Sequence, residues 1–285
     1  MITFSHHFRA NSDSSYTCLF LFLLFSLISI PAHAYDKASV TLGYGPESAH
    51  LLDIYLPENP VKAPVIVLVH GGAWKLGDKS SRAVIKNKLA YWQPKGFIIV
   101  SVNYRLIPDA NPLEQAQDLA LALVYLQGRI MNWGGDPDKI TLIGHSSGGH
   151  LAALLSANPA RYQKLKPWRA SVILDSAAMD IPTIMINAHP RLYDQAFGED
   201  SQLWTNASPR HQLVRQAVPM LLICSTERDD SCTQAEAFVD ATKNIGAQAS
   251  LLREDLSHKK INTRLGIDED YTTRIDTFIQ RQLSP

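Results

Sequence analysis

Residues 140–150 read ITLIGHSSGGH, and this stretch decides the fold. An apolar run at residues 140–143 leads into a Gly-x-Ser-x-Gly sequence at residues 144–148, and small and apolar residues follow to residue 155. This order predicts a strand, a sharp turn and a helix, with Ser146 at the apex of the turn. Glycine is favoured at Gly144 and Gly148 because the backbone of such a turn approaches neighbouring elements closely. An ordinary glycine-rich turn between a strand and a helix is the alternative interpretation.

Apolar segments alternate with helical patterns along the rest of the chain. Eight strands are predicted, at residues 39–43, 51–56, 64–70, 97–103, 139–143, 171–174, 220–224 and 249–253. Five helices are predicted around them, at residues 82–93, 113–133, 149–156, 233–243 and 271–282. The inner strands are continuously apolar, which is typical of a parallel sheet covered by helices on both faces. The sequence therefore predicts an α/β fold with a mostly parallel, doubly wound sheet, and the polar residues 177–216 are expected to form a small irregular cap.

Composition bounds the classes of protein to which the chain can belong. Its 285 residues, 46% of them hydrophobic, are enough for one globular domain with a sizeable core. The 27 basic residues equal the 27 acidic ones, so the formal net charge is zero and a nucleic-acid partner is not expected. The sequence predicts neither a metal nor an organic cofactor, and it leaves the oligomeric state open.

The first 34 residues have the pattern of a signal peptide. Residues 18–30 (CLFLFLLFSLISI) are uncharged and apolar, and Ala32-His33-Ala34 follows as an A-x-A cleavage pattern. Cleavage after Ala34 would leave residues 35–285 as the mature domain, either periplasmic or secreted. The apolar run is shorter than the roughly 20 residues of a membrane span, so no stable span is expected after cleavage. An uncleaved signal anchor is the alternative.

Export affects how the cysteines are interpreted. Removal of residues 1–34 leaves two cysteines, Cys224 and Cys232, which flank a short loop at residues 225–231. An even pair in an oxidising compartment predicts a disulfide. Two free thiols close together are the alternative.

The second chemical motif is His70-Gly71-Gly72, at the end of a predicted strand. Acyl transfer passes through a tetrahedral oxyanion, which backbone amides stabilise. Two glycines allow a loop to turn its amides toward the cleft, and the amide after the nucleophile is the usual further donor. The sequence therefore predicts an oxyanion hole formed by the amides of Gly71, Gly72 and Ser147. His70 is expected to orient this loop.

A nucleophilic serine needs a base and an orienting acid, which follow it in the order acid, then histidine. His258 is the histidine that comes immediately after the last predicted strand, whereas the others lie too early in the chain or on the helix after Ser146. The acid is expected in the loop after the strand at 220–224, where Asp229 is the first choice and Asp230 the alternative. In this prediction Ser146 attacks, His258 transfers the proton and Asp229 orients the imidazole.

Four motifs together resemble the α/β-hydrolase superfamily: HGGAW at 70–74, NYRL at 103–106, GHSSGGHL at 144–151 and SHKKIN at 257–262. The chain is similar to the bacterial carboxylesterases that include feruloyl-esterase-like, hormone-sensitive-lipase-like and kynurenine-formamidase-like enzymes. Hormone-sensitive-lipase-like members usually carry Asp-Ser-Ala-Gly where this chain has His-Ser-Ser-Gly, which places it nearer the other two groups. The acid loop is one residue longer than the common pattern, so Asp229 and Asp230 both stay open.

The resemblance implies a serine carboxylesterase that acts on small carboxylic esters. An arylformamidase and a long-chain lipase are alternatives on the same triad, but export argues against the first and the polar cap against the second. A non-catalytic binding protein on a hydrolase scaffold is the alternative from another class. Such proteins typically lose a triad residue, whereas candidates for all three are present here.

Overall fold

The predicted apolar runs form one eight-stranded sheet. The computed structural model describes Met1 and residues 38–284, so the predicted signal peptide and its cleavage site lie outside the described residues apart from Met1. The strands are β1 (Val40–Gly43), β2 (Leu51–Tyr55), β3 (Ala63–Val69), β4 (Ile98–Val102), β5 (Gly135–His145), β6 (Ala170–Leu174), β7 (Met220–Ser225) and β8 (Ala249–Glu254). All eight correspond to predicted strands.

The order of the strands brings three loop sequences to one edge of the sheet. The order is β1-β2-β4-β3-β5-β6-β7-β8, and the strands from β4 to β8 pair in parallel while β2 runs antiparallel to both neighbours. Val69 at the end of β3 pairs with Gly144 of β5, and Leu174 at the end of β6 pairs with His145. The residues that follow these three strands therefore meet at the carboxyl edge, where ligands of such sheets bind.

Within residues 38–284, ten α-helices surround the sheet and cap it. They are α1 (Arg82–Trp92), α2 (Pro112–Arg129), α3 (Ser147–Ala157), α4 (Ile181–Met185), α5 (Arg191–Phe197), α6 (Ser201–Asn206), α7 (Pro209–Gln212), α8 (Asp229–Ile245), α9 (His258–Arg264) and α10 (Glu269–Leu283). The five predicted helices correspond to α1, α2, α3, α8 and α10. The structure adds α9 and four short cap helices, which are too short to produce a clear helical period in the sequence.

Two apolar clusters cover the two faces of the sheet. One contains the inner faces of α2, α3 and α8, and the other contains those of α1 and α10. Central strands contribute side chains alternately to both clusters, as Val67 and Leu68 of β3 do. This arrangement explains why their sequences are continuously apolar rather than alternating.

The cap between β6 and β7 contains α4 to α7, and its two ends are held together. Asp180, before α4, accepts hydrogen bonds from Arg210 Nη1 at 2.8 Å and from His211 Nε2 at 3.1 Å, both on α7. Ser208 Oγ donates to the carbonyl of Met179 at 3.1 Å. The predicted irregular cap is thus a set of short helices with a polar closure at its base.

None of the helices described between residues 38 and 284 is long and apolar enough to cross a membrane.

Candidate active site

Ser146 lies at the turn between β5 and α3, as the sequence predicts. Its backbone has φ 55° and ψ −122°, in the left-handed half of conformational space that a side chain strains. Its amide donates to the carbonyl of Leu174 at 2.9 Å, and its carbonyl accepts from the amide of His150 at 2.9 Å. The neighbouring strand and the helix together hold this strained conformation.

Glycine is required on both sides of Ser146 because backbone segments meet there. A β-carbon at Gly144 would lie 2.3 Å from the carbonyl oxygen of Gly148, and one at Gly148 would lie 2.3 Å from that of His70. Neither backbone can move without displacing the serine. The Gly-x-Ser-x-Gly sequence is therefore a genuine strand-to-helix elbow, and the alternative of an ordinary turn is excluded for this conformation.

His258 is the first residue of α9, at the carboxyl edge of the sheet beside Ser146. Its Nδ1 lies 2.5 Å from Oδ2 of Asp175 and 2.8 Å from Nη1 of Arg228. Since Nη1 also lies 2.9 Å from Oδ2, both hydrogens can go to the carboxylate: Nδ1–H and Nη1–H each donate to Oδ2. This tautomer leaves Nε2 of His258 free to accept a proton.

Asp175 immediately follows β6, and its side chain is fully buried. Its Oδ1 accepts hydrogen bonds from the amide of Ser225 at 2.8 Å and from the hydroxyl of Ser231. Burial would raise the pKa of this carboxyl, but the hydrogen bonds from His258, Ser231 and Ser225 outweigh it and hold the pKa well below its usual range. Asp175 is therefore an ionised carboxylate at neutral pH, aimed at the imidazole.

The prediction that Asp229 orients His258 is wrong, and the alternative, Asp230, does not contact the imidazole either. Both residues belong to the first turn of α8, which begins at Asp229, four residues earlier than predicted. Carboxylates are favourable at a helix N-terminus. Asp230 lines the same cavity as His258, but no hydrogen bond joins it to the imidazole. Arg228 occupies the predicted place of the acid, and its Nη2 pairs with Asp230 at 3.0 Å.

Asp175 is absent from the predicted site because the acid was expected only after the penultimate strand. One local signal was present in the sequence, because the apolar run at residues 171–174 ends directly in an acidic residue. The structure places this strand beside the elbow strand. Asp175 also has φ 50°, so, like Ser146, it is a strained residue at the end of a central strand.

The loop at residues 70–74 lies against the elbow, as the oxyanion-hole prediction requires. A β-carbon at Gly71 would lie 3.0 Å from Cβ of Ser146, so Gly71 lies directly beside the nucleophile. Ala73 and Ser147 line the cavity at Ser146, whereas Gly72 has φ 140° and closes a turn to Leu76 through a hydrogen bond of 2.9 Å. The donor role of Gly71, Gly72 and Ser147 stays a prediction, and Ala73 joins the candidates.

His70 supports this loop rather than acting as a base. Its ring stacks on that of Tyr104 with centroids 4.5 Å apart, and Tyr104 Oη donates to the carbonyl of His70 at 2.7 Å. Burial lowers the pKa of His70, so the ring stays neutral. His70 Nδ1 lies 3.1 Å from the carbonyl of Gly71 and can donate to it.

His145, the residue before Ser146, holds the backbone of His258. Its Nε2–H donates to the carbonyl of His258 at 3.0 Å, and the two rings lie 4.5 Å apart. Burial and the neighbouring His258 lower the pKa of His145 to about 3, so it acts as a neutral donor.

The candidate residues line one cavity of about 230 Å³. Its polar lining includes Ser146, Asp175, Arg228, Asp230 and His258. Its lining also includes Trp74 and residues of the cap and of the segment leading into it: Ala177, Ala178, Pro190, Leu192 and Tyr193. A buried carboxylate, an imidazole and a strained serine thus face a partly apolar space.

His150 joins the cap to the loop that carries Trp74. Trp74 Nε1 donates to His150 Nδ1 at 3.1 Å, and His150 Nε2–H donates to the carbonyl of Ala207 at 2.7 Å. Burial lowers the pKa of His150 to about 4, so this bridge is neutral. Phe197 packs edge-on against both rings. The apolar wall of the cavity is therefore fixed in position.

The predicted disulfide between Cys224 and Cys232 is confirmed, and it closes the loop that surrounds Asp175. Within residues 225–231 lie the three groups other than His258 that donate to this carboxylate: Ser225 N, Arg228 Nη1 and Ser231 Oγ. The cross-link therefore flanks a loop that holds an acid from a different strand.

No group of three metal-ligating side chains occurs within residues 38–284.

Comparisons with known proteins agree with this geometry. The model of the BD-FAE family matches residues 52–240. An isoprenylcysteine alpha-carbonyl methylesterase, ICME, of Arabidopsis thaliana is 28% identical over 262 residues, which cover 83% of this chain and 60% of that protein. The esterase LipC of Mycobacterium tuberculosis is 28% identical over 226 residues, covering 71% and 54%. The chain thus spans about 60% or less of the length of these curated relatives.

The fold is shared with solved structures of esterases. A truncated carbohydrate esterase from gut microbiota superposes with a TM-score of 0.73 at 21% identity, covering 88% of this chain and 98% of that one. Esterase Est2 of Thermogutta terrifontis superposes with a TM-score of 0.70 at 19% identity, covering 86% and 92%. The predicted α/β-hydrolase fold is therefore confirmed. Since the family match spans more than half of the residues, including the elbow, Asp175 and the cap, the chain belongs to the BD-FAE family, a family of α/β-hydrolase esterases.

Proposed function

We propose that the protein is a serine carboxylesterase that hydrolyses small carboxylic esters through an acyl-enzyme on Ser146. The observation that carries the proposal is the arrangement at the carboxyl edge. A strained serine and a histidine whose Nδ1–H donates to a buried carboxylate line the same cavity. In this proposal Asp175, rather than Asp229, is the acid of the triad.

In this proposal each group has a role in the reaction. Ser146 Oγ attacks the ester carbonyl carbon and gives its proton to Nε2 of His258, while Asp175 stabilises the imidazolium that forms. Amides of Ser147 and of the loop at residues 71–73 stabilise the tetrahedral oxyanion. His258 then protonates the leaving alcohol. In the second half of the reaction His258 takes a proton from water, which attacks the acyl carbonyl carbon, and returns the proton to Ser146 Oγ as the carboxylic acid leaves.

The size of the cavity supports small substrates. At about 230 Å³ it lies below the range of about 300 to 1,000 Å³ that is typical of ligand pockets. Trp74 and Tyr193 line it, and the centroids of their rings lie 5.7 Å apart. A short acyl or alcohol group fits such a space better than a long alkyl chain.

Hydrolysis of p-nitrophenyl esters of increasing acyl length, with methyl ferulate and N-formylkynurenine alongside, tests the proposal. We expect the wild type to hydrolyse short esters with a sharp decline as the acyl chain lengthens. Ser146→Ala should abolish this activity, because it removes the nucleophile. Activity that survives in Ser146→Ala, or a folded wild type that hydrolyses none of the substrates, would refute the proposal.

We also propose that the mature protein is exported and begins at Tyr35. The apolar run at residues 18–30 and the pattern that ends at Ala34 support this. The disulfide between Cys224 and Cys232 also supports it, because disulfides persist in oxidising compartments. Whether the protein stays in a periplasm or enters the medium depends on the cell that makes it.

A further inference from the structure

Helix α9 carries His258 at its first residue and is only seven residues long. The last four carbonyls of an α-helix find no partner inside the helix. In so short a helix these carbonyls belong to more than half of its residues. The groups that satisfy them therefore decide where the whole helix lies, including the residue that carries the imidazole.

All four of these carbonyls accept hydrogen bonds from groups outside α9. The donors are Tyr271 Oη to Ile261 at 2.9 Å, Lys88 Nζ to Asn262 at 2.8 Å, Asn87 Nδ2 to Thr263 at 2.6 Å, and the amides of Ile267 and Asp268 to Arg264 at 3.0 and 2.9 Å. Two of the donors, Asn87 and Lys88, are adjacent residues of α1. The end of α9 is thus fixed to another helix by side chains rather than by a local turn alone.

Lys88 is the least expected of these donors. It is 2% exposed, and no carboxylate pairs with it among the described residues. Both of its hydrogen bonds go to Asn262, one to the carbonyl and one to Oδ1, each at 2.8 Å. Burial lowers its pKa to about 7. A buried amine of this kind is costly, and an apolar side chain of similar volume is often at least as stable. Stability therefore does not account for a lysine here.

Contacts between the two helices extend to the backbone. Asn262 Nδ2 donates to the carbonyl of Ala83 on α1 at 3.1 Å. Gly266, just after α9, has φ 102°, and a β-carbon there would lie 2.1 Å from the carbonyl of Asn87. The end of α9 is therefore packed closely against the backbone of α1.

The other end of α9 is where the chemistry takes place. His145 holds the carbonyl of His258, and Asp175 holds its Nδ1. Asn262 follows His258 by four residues, which corresponds to about 6 Å along a helix axis. At this distance a shift of the helix end moves the imidazole by a similar amount. Misplacement of a catalytic group by about 1 Å can reduce the rate about 100-fold.

We propose that Lys88 is a positioning residue for His258. By tying Asn262 to α1, it sets the height of the imidazole relative to Ser146 and Asp175. Asn87 supports the same contact through Thr263. The inference rests on the proposed function in that it takes His258 as the base.

Replacement of Lys88 by methionine tests this role, because methionine keeps the length and volume of the side chain but cannot donate. We expect Lys88→Met to lower kcat on a short p-nitrophenyl ester by about 10- to 100-fold with KM nearly unchanged. The rate of phosphonylation of Ser146 by a fluorophosphonate probe should fall in parallel. The matched control is Lys260→Met, an exposed lysine of the same helix, which should behave as wild type.

The two readouts separate this inference from the proposed function. If the wild type reacts with the probe but hydrolyses no ester, the substrate class is wrong while the test of Lys88 still stands. Wild-type kcat and probe reactivity in Lys88→Met would overturn the positioning role. A rise in KM equal to the fall in kcat, together with a lower Tm, would also overturn it, since that is a general loss of structure. If Lys88→Met does not fold, Asn87→Ser is measured instead and should show a smaller fall in kcat alone.

Discussion

At the scale of single residues, the chemistry of the site depends on which carboxylate meets His258. Asp175 is fully buried, ionised and 2.5 Å from Nδ1, whereas Asp229 belongs to the first turn of α8. Arg228 lies between the two regions and neutralises part of the charge of Asp175 at 2.9 Å. The predicted acid loop therefore supplies a cation and hydrogen-bond donors, and the carboxylate that meets His258 comes from the end of the neighbouring strand.

Replacing each carboxylate by its amide distinguishes the two assignments. Asp175→Asn should lower kcat by about 10³- to 10⁴-fold, because an amide at this position can no longer hold the reactive tautomer of the imidazole. Asp229→Asn serves as the matched control and should leave kcat close to the wild-type value. Steady-state kinetics on one short ester decides the matter. The opposite ranking of the two variants would restore Asp229 as the acid.

Lys88 provides a prediction about stability and pH. Its pKa is about 7 in the folded protein, against 10.5 for an exposed lysine. Between these values the unfolded chain binds more protons, so this lysine makes the free energy of unfolding rise with pH, by up to about 1.4 kcal/mol per pH unit. The free energy of unfolding of the wild type minus that of Lys88→Met, from urea titrations, should therefore increase between pH 7 and 10. A difference that stays constant over this range would show that Lys88 keeps its ordinary pKa.

At the scale of elements, the loop at residues 225–231 fixes the side chain of Asp175, a residue that lies outside this loop. Three of its groups donate to Asp175, which follows β6, and the disulfide closes the loop at its two ends. The carboxylate is therefore positioned by two neighbouring strands together. Its hydrogen-bond partners depend on the conformation of the loop, to which the cross-link contributes.

Loss of the disulfide should therefore affect both stability and catalysis. Closure of so short a loop contributes about 2 to 3 kcal/mol to the free energy of unfolding by the chain-entropy estimate. We expect Cys224→Ala/Cys232→Ala to lose about this amount and to show a lower kcat, because the donors to Asp175 are less well fixed. Urea unfolding and steady-state kinetics measure the two effects. A variant that is less stable but has wild-type kcat under folding conditions would show that the loop holds its shape without the cross-link.

Elements also differ in how well the sequence predicts them. The strands and the five longer helices follow from hydrophobic periodicity, and the elbow follows from Gly144 and Gly148, whose contacts permit no side chain. Helix α9 and the cap helices escape prediction because four to seven residues contain too few turns to show a period. The sequence did not predict Asp175, because the acid could follow either β6 or β7. The choice between these two strand ends depends on where α8 begins.

At the scale of the whole molecule, the site is built from segments far apart in the chain. Parallel pairing of β3, β5 and β6 brings residues 71–74, Ser146 and Asp175 to one edge, and α9 brings His258 there after the last strand. The two apolar clusters hold the sheet from both faces. The catalytic geometry therefore depends on strand register, which the long apolar strands specify strongly.

Export also concerns the whole molecule, and it predicts a definite mature chain. When the full sequence is produced in a bacterium with a secretion pathway, we expect the exported protein to begin at Tyr35, because the signal sequence is removed after Ala34. Intact mass measurement without reduction should agree with residues 35–285 and one disulfide. A protein that keeps residues 1–34 would support the signal-anchor alternative.

The polar closure at the base of the cap has a consequence for engineering. Asp180 accepts hydrogen bonds from Arg210 and His211, and the carbonyl of Met179 accepts one from Ser208. These bonds join the two ends of the cap and involve no residue of the elbow or of the proposed triad. Residues 181–206 can then be regarded as a cassette whose two ends already meet. Exchange of this cassette between homologues should transfer substrate preference while the recipient keeps its own catalytic residues. The bond from His150 to the carbonyl of Ala207 holds the residue that directly follows the cassette, so the point at which each new cassette rejoins the chain stays fixed.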